Sequence, residues 1–97
     1  ATAFTPNDPL YGSQWHLNGA NGINVTSVWD DYRGEGITIG FVDDGVQYTH
    51  PDLDARYNST IDYDSANGSA DGAPKAAADR HGTTTSGMAA GEGNNGQ

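Results

Sequence analysis

The sequence of 97 residues contains no cysteine and only four Lys or Arg residues. The first shortage excludes disulfides, and the second argues against binding to nucleic acid or to anionic membranes. Without cysteine, the chain has no disulfide that could stabilise a small core. Thirteen acidic residues against four basic ones give a net charge of −9, which repels nucleic acid phosphates and anionic membrane surfaces. We therefore expect neither nucleic acid nor a membrane as a partner.

Long hydrophobic runs are also missing, because no stretch approaches the roughly 18 apolar residues that suggest a membrane-spanning helix. Only 34% of the residues are hydrophobic and fourteen are glycine, so we expect the apolar segments to need a partner surface. Eleven of the thirteen acids are Asp, the carboxylate favoured in turns and in oxygen-rich calcium sites. This composition indicates part of a larger fold and favours cations as partners.

Two segments of the first half predict regular structure. Residues 24–32 predict a short helix, capped by Asn24 or Thr26 and followed by Gly34. The β-branched, mostly apolar run at 37–42 predicts a buried strand that leads into a tight turn.

The second half of the chain alternates between loops and one helix. Residues 52–79 are rich in Asp, Asn, Ser, Gly and Ala, which predicts a long surface excursion. The small residues of 81–90 predict a helix that packs closely on its neighbours, and residues 91–97 are expected to form a loop.

Two short motifs could carry chemistry. Asp43 leaves the predicted strand before a glycine turn, where a carboxylate can accept a hydrogen bond from an imidazole and stabilise its protonated form. His81 lies where the polar excursion meets the predicted helix. Taken separately, Asp43 also fits an ordinary turn, and His81 also fits a surface or structural histidine.

Read together, the motifs resemble the subtilase family, and within it the kexin and furin branch of proprotein convertases. The matching segments are Asp43-Asp44-Gly45, His50-Pro51-Asp52-Leu53, Arg80-His81-Gly82-Thr83 and Asn94-Asn95-Gly96. The resemblance implies an α/β fold with a subtilisin-like parallel sheet flanked by helices. Residues 1–97 would form the N-terminal portion of this catalytic domain.

This resemblance implies a calcium-dependent serine endopeptidase. Asp43 would be the triad acid and His81 the general base, while the serine is expected beyond Gln97, since the subtilisin order is Asp, His, Ser. We expect the C-terminal remainder as a separate, non-covalent chain and a secreted, periplasmic or cell-surface location. The alternative is a catalytically inactive, calcium-binding or regulatory fragment of a degenerate subtilase.

Three further positions qualify the resemblance. Ser86 lies in a segment superficially like the nucleophile box, but Gly87 follows it and His81 precedes the segment, so we expect a helix-packing residue. Thr85 stands where animal convertases have cysteine, which points to a bacterial relative. Asp44 would face a substrate residue and attract Lys or Arg, so the protein or peptide substrate would carry basic residues near the cleavage site; a turn-stabilising role remains the alternative.

The resemblance also implies calcium sites. For the first, Asp8, Asp52 and Asn95 would provide side-chain oxygens, and Glu92 and Gln97 main-chain carbonyls. The alternative is that Asp8 and Asp52 cap turns and Asn95 accommodates an unusual backbone angle. A possible second calcium would involve Asp62, Asp64 and Asp71. His16 and His50 lack zinc-type spacing, and we interpret both as structural.

Overall fold

A computed structural model of the chain describes residues 5–96. These residues divide into two compact units, one formed by 5–39 with 93–96 and the other by 40–92. Within the described range, the helices lack the length and apolar character that a membrane span requires.

The first unit is built from turns around two 3₁₀ helices, Tyr11–Ser13 and Val25–Ser27. Asn18 joins them, because its side chain donates a hydrogen bond to the Tyr11 hydroxyl and accepts one from Thr26 Oγ1 at 2.8 Å. Residues 5–24, called the N-terminal arm below, are therefore joined to the second 3₁₀ helix by these side-chain bonds and by the Val25 amide, which donates to Leu17 O at 3.0 Å.

The helix predicted at 24–32 forms only in part. After Val25–Ser27 the chain continues in turns, with the Tyr32 amide donating to Val28 O at 2.9 Å. Asn24 occupies the N-cap position in a left-handed conformation, with a φ of 55°, and its side chain makes no capping hydrogen bond. Because the expected cap is not made, the amides of the first turn lack the acceptor on which the prediction relied.

The strand predicted at 37–42 is not formed among the described residues. Its apolar side chains are open to solvent, since Ile37 is 72% exposed and Val42 is fully exposed. A strand exists only when a neighbouring strand pairs with it, and this run has no such neighbour within 5–96. The prediction rested on sequence pattern alone and is wrong for this isolated chain.

The predicted helix of small residues is confirmed in the second unit as α1, His81–Ala90. Gly82 and Ser86 form its buried face, and the Ser86 hydroxyl donates to Gly82 O at 2.7 Å, as expected of a helix-packing residue. A Cβ atom at Gly82 would collide with Gly45 O and would lie 3.1 Å from Asp43 Cβ. Small residues therefore let α1 approach the turn at 43–45.

Residues 52–79 follow the surface path predicted for them, without helix or named strand in this described segment. An isolated antiparallel bridge joins Asp64 and Ser69. At its beginning, Leu53 is the buried hydrophobic side chain of the described chain, at 6% exposure. The Tyr48 and Tyr57 rings, with centroids 4.9 Å apart, provide a second packing contact.

Candidate active site

The second unit brings Asp43 and His81 into direct contact. His81 Nδ1 lies 2.8 Å from Asp43 Oδ2 and 2.9 Å from Oδ1. The His81 side chain is 74% exposed, whereas that of Asp43 is 18% exposed. A proton on Nδ1 in this hydrogen bond leaves Nε2 as the proton acceptor, on a ring that solvent or a substrate can reach.

Hydrogen bonding shifts the proton affinities of both partners. The Asp44 amide donates to Asp43 Oδ1 at 2.8 Å, and this bond is the main cause that holds the pKa of Asp43 below its ordinary value, followed by the bond from His81. In return, the hydrogen bond to Asp43 raises the pKa of His81. The pair therefore favours an ionised carboxylate beside an imidazole that readily accepts a proton.

Asp44 holds the start of α1. Its Oδ2 accepts from the His81 amide at 3.2 Å, and its Oδ1 accepts from the Gly82 amide at 2.7 Å. Arg80, at the N-cap position, provides no side-chain cap, so Asp44 satisfies these amides from another part of the chain. Its contacts orient the helix that carries His81, while its predicted attraction for a basic substrate residue stays a prediction.

Thr85 contributes a contact to Asp43 that was not predicted from the sequence. Its hydroxyl lies 3.1 Å from Asp43 Oδ2, the oxygen that also faces His81. In the sequence, Thr85 stands out only as a departure from the convertase pattern. The available signal was its place one helical turn after His81, which puts both side chains on the same face of the predicted helix.

The residues predicted for the first calcium fall in both units. Asp8 and Asn95 belong to the first unit, Asp52 and Glu92 belong to the second, and Gln97 lies outside the described residues. Within the second unit, the Glu92 amide donates to Asp52 O at 2.8 Å.

Within the first unit, the Asp8 carboxylate collects consecutive backbone amides. Oδ2 accepts from the Asn94 amide at 2.7 Å, and Oδ1 accepts from those of Asn95 and Gly96, each at 3.0 Å. The bond from Asn94 is the main reason that the pKa of Asp8 lies below its ordinary value. The described residues contain no cluster of three or more acidic, His or Cys side chains arranged around a metal position, and the first calcium stays a prediction.

The residues predicted for the second calcium already have hydrogen-bond and ionic partners. Asp62 Oδ2 accepts from the Tyr57 hydroxyl at 2.7 Å, while its Oδ1 is buried without a partner. Lys75 Nζ lies 3.0 Å from Asp71 Oδ2 and 3.9 Å from Asp64 Oδ2. A calcium ion bound by Asp64 and Asp71 would have to displace the Lys75 ammonium. The second calcium site therefore also stays a prediction.

The two remaining histidines have structural contacts, in line with their interpretation from the sequence. His50 Nδ1 accepts from the Asp52 amide at 3.1 Å and so stabilises the turn in which both lie. His16 meets the adjacent Trp15 ring edge-on, with centroids 6.2 Å apart.

Comparison with known proteins agrees with the geometry of the Asp–His pair. The sequence profile of the subtilase family matches residues 34–97. The chain is 42% identical over 92 residues to the dibasic-processing endoprotease of Schizosaccharomyces pombe, covering 90% of this chain and 13% of that protein. It is 45% identical over 67 residues to human neuroendocrine convertase 2, covering 60% of this chain and 10% of that protein.

A bacterial relative matches the chain differently. The chain is 49% identical over 62 residues to the protease 2 small chain of Achromobacter lyticus, covering 63% of this chain and 97% of that relative. The chain thus spans nearly all of a protease small chain but only about an eighth of the dibasic-processing endoprotease.

These matches show that the chain belongs to the subtilase family. The predicted resemblance to the kexin and furin branch is confirmed, with the chain corresponding to an N-terminal catalytic portion. Family membership implies the α/β subtilisin fold for the complete catalytic domain, although the described residues contain a single α-helix and no strand.

Proposed function

We propose that this chain supplies Asp43 and His81 to a calcium-dependent serine endopeptidase. The observation that carries the proposal is the hydrogen bond of 2.8 Å between His81 Nδ1 and Asp43 Oδ2. It fixes an imidazole tautomer whose Nε2 can take the proton of a serine hydroxyl. The subtilase match supports this assignment, because it covers both residues.

The reaction is acyl transfer. His81 Nε2 accepts the proton of a serine as its Oγ attacks the scissile carbonyl, and Asp43 stabilises the imidazolium that forms. His81 then passes this proton to the leaving amine as the C–N bond breaks. Water repeats the sequence to release the acyl group and regenerate the serine. The serine and the oxyanion-hole donor lie outside this chain.

The partner that would supply the serine is the remainder of the protease, bound as a separate, non-covalent chain. The match to nearly the full length of a protease small chain supports this arrangement. The exposed apolar side chains of Ile37 and Val42 support it as well, because strands of parallel sheets are normally covered on both faces. In such a complex the run at 37–42 would gain its missing neighbours.

The substrate would be a protein or peptide with basic residues near the cleavage site. The printed name of the S. pombe relative, a dibasic-processing endoprotease, supports this class. Asp44 is the carboxylate of this chain proposed to face such a residue, in addition to its contacts with α1. We place the enzyme outside the cytoplasm, as a secreted, periplasmic or cell-surface protein.

Calcium is the proposed cofactor of this enzyme. Carboxylate, amide and carbonyl oxygens are the ligands that calcium prefers, and the residues proposed for the first site offer this donor set. Those residues are Asp8, Asp52, Glu92, Asn95 and Gln97. The hydrogen bonds that the amides of 94–96 donate to the Asp8 carboxylate support a first site, because they already bring the arm and this loop together within one unit.

Intact mass spectrometry combined with a fluorophosphonate label tests the proposed function. Under native conditions we expect a non-covalent companion chain, and after denaturation the label should be found on a serine of that companion. Replacing His81 by Ala should abolish labelling without dissociating the complex. A companion that never takes the label would identify the inactive, regulatory alternative, and the absence of any companion would contradict the two-chain arrangement.

Activity should depend on pH through His81. A general base acts in its neutral form, and the hydrogen bond to Asp43 raises the pKa of His81. We expect kcat/KM to be low at acid pH, to rise as His81 loses its proton, and to reach half its plateau above about pH 6.5, the ordinary value for histidine. Folding stability should depend on pH in the opposite direction to activity. The contribution of the protonated His81 to stability is fully present below the pKa of the unfolded chain and is lost as pH rises through the raised pKa of the folded chain.

The fluorophosphonate labelling rate, measured from pH 5 to 9 in buffers of constant ionic strength, provides this profile without interference from product release. A midpoint at or below about 6.5 would contradict the raised pKa of His81.

A further inference from the structure

Two side chains of α1 converge on one oxygen of Asp43. His81 Nδ1 lies 2.8 Å from Asp43 Oδ2, and Thr85 Oγ1 lies 3.1 Å from the same atom. Residues one helical turn apart lie on the same helix face, so a helix that presents His81 to the carboxylate also presents Thr85.

The Thr85 hydroxyl has a choice of acceptors. It lies 3.1 Å from Gly82 O as well as 3.1 Å from Asp43 Oδ2, and it carries a single proton. An ionised carboxylate is a stronger acceptor than a backbone carbonyl that already belongs to a helix. The Thr85 hydroxyl is therefore expected to donate its hydrogen bond mainly to Asp43.

The remaining contacts of the carboxylate show what this bond adds. The Asp44 amide fixes Asp43 Oδ1 at 2.8 Å, so without Thr85 the second oxygen would be held by the imidazole alone. An imidazole must exchange its proton during catalysis, whereas a threonine hydroxyl stays neutral and keeps its donor throughout. Donors on both oxygens restrict rotation of the carboxylate about its Cβ–Cγ bond.

We propose that Thr85 is a positioning residue for the Asp43–His81 pair, whose hydroxyl holds Asp43 Oδ2 in the orientation that receives His81 Nδ1. The kinetic part of this inference rests on the proposed function. The structural part concerns only the contact between Thr85 and Asp43, and can be tested without catalysis.

The test compares three variants of the complete, assembled protease. Thr85→Val removes the hydroxyl but keeps the branched shape, and Thr85→Ser keeps the hydroxyl. Thr84→Val is the matched control, because the Thr84 hydroxyl bonds Arg80 O at 3.0 Å on the same helix and has no contact with Asp43 among the hydrogen bonds of the described residues.

We expect Thr85→Val to lower kcat by about tenfold, the effect of one lost hydrogen bond to a charged group, while KM changes by less than about twofold. Thr85→Ser should recover most of the lost rate, and Thr84→Val should resemble the unsubstituted protease. Unchanged kcat in Thr85→Val, an effect confined to KM, or equal losses in both valine variants would overturn the proposal.

A second measurement separates this proposal from the proposed function. The Thr85 hydroxyl contributes to the lowered pKa of Asp43, so carboxyl ¹³C NMR should show that pKa rising in Thr85→Val and staying low in Thr85→Ser. If this shift occurs in an assembled protein that never takes the fluorophosphonate label, the proposed function fails and the positioning contact stands. If the shift is absent, the positioning contact is wrong whatever the activity.

Discussion

Replacing Asp43 by Asn should reduce kcat of the assembled protease by roughly 10⁴-fold, the loss seen when a triad acid becomes an amide in other serine proteases. The reason lies in two of the donors that meet this side chain, the Asp44 amide and His81 Nδ1. An asparagine that keeps its oxygen toward the Asp44 amide turns its NH₂ group toward His81 Nδ1. His81 must then accept at Nδ1 and carry its proton on Nε2, where it can no longer act as a base toward serine.

A matched control is available in the same unit. Asp54 is an exposed aspartate outside both the turn at 43–45 and α1, and the same change to Asn removes the same charge. We expect Asp54→Asn to keep near-normal fluorophosphonate labelling, and both variants to retain similar melting temperatures. A loss smaller than about tenfold in Asp43→Asn would show that Asp43 is not the residue that sets the His81 tautomer.

The helix at 81–90 is the element that the sequence predicted well. The helix at 81–90 follows from small residues that let one helix face pack tightly, and the structure has it with the same bounds. The strand at 37–42 was predicted from β-branched, apolar residues, but a strand requires a neighbour that its own sequence does not specify. The helix at 24–32 depended on a cap, and Asn24 adopts a left-handed conformation instead.

In the candidate site, too, some features were predictable from the sequence and others were not. The motifs around Asp43 and His81 pointed to both residues before their contact was known, because their chemistry and order in the chain are distinctive. The second role of Asp44, as acceptor for the amides of His81 and Gly82, could not be predicted because it depends on how the turn at 43–45 meets the start of α1. The contact of Thr85 with Asp43 could have been predicted in part, because Thr85 lies four residues after His81 and therefore on the same helix face.

Removing calcium from the assembled protease should expose the loop at 94–96 to hydrogen exchange. If calcium binds where Asp8 meets this loop, a free concentration about 100 times its Kd lowers the population of the open loop, and hence its rate of hydrogen exchange, by roughly a hundredfold. A chelator should abolish that protection. The amides of α1 serve as the internal reference, since their helix bonds involve no proposed calcium ligand.

The competing explanation is that Asp8 holds the loop by hydrogen bonds alone. Its carboxylate already accepts from the amides of Asn94, Asn95 and Gly96, and these bonds would survive chelation. Because the same bonds lower the pKa of Asp8, the carboxylate stays ionised at neutral pH with or without calcium. A change in protection at pH 7 would then report the metal rather than protonation.

The variant Asp8→Asn separates the two explanations. The asparagine amide keeps one oxygen acceptor but loses the negative charge that attracts calcium. Protection of the 94–96 amides against hydrogen exchange should therefore be low and insensitive to the chelator. The control variant Asp54→Asn should behave like the unsubstituted protease. Equal protection with and without chelator in the unsubstituted protein would exclude the first calcium and leave Asp8 as a hydrogen-bonded clamp. In that case the arm would be tied to the loop by main-chain amides, and calcium would have to act elsewhere or not at all.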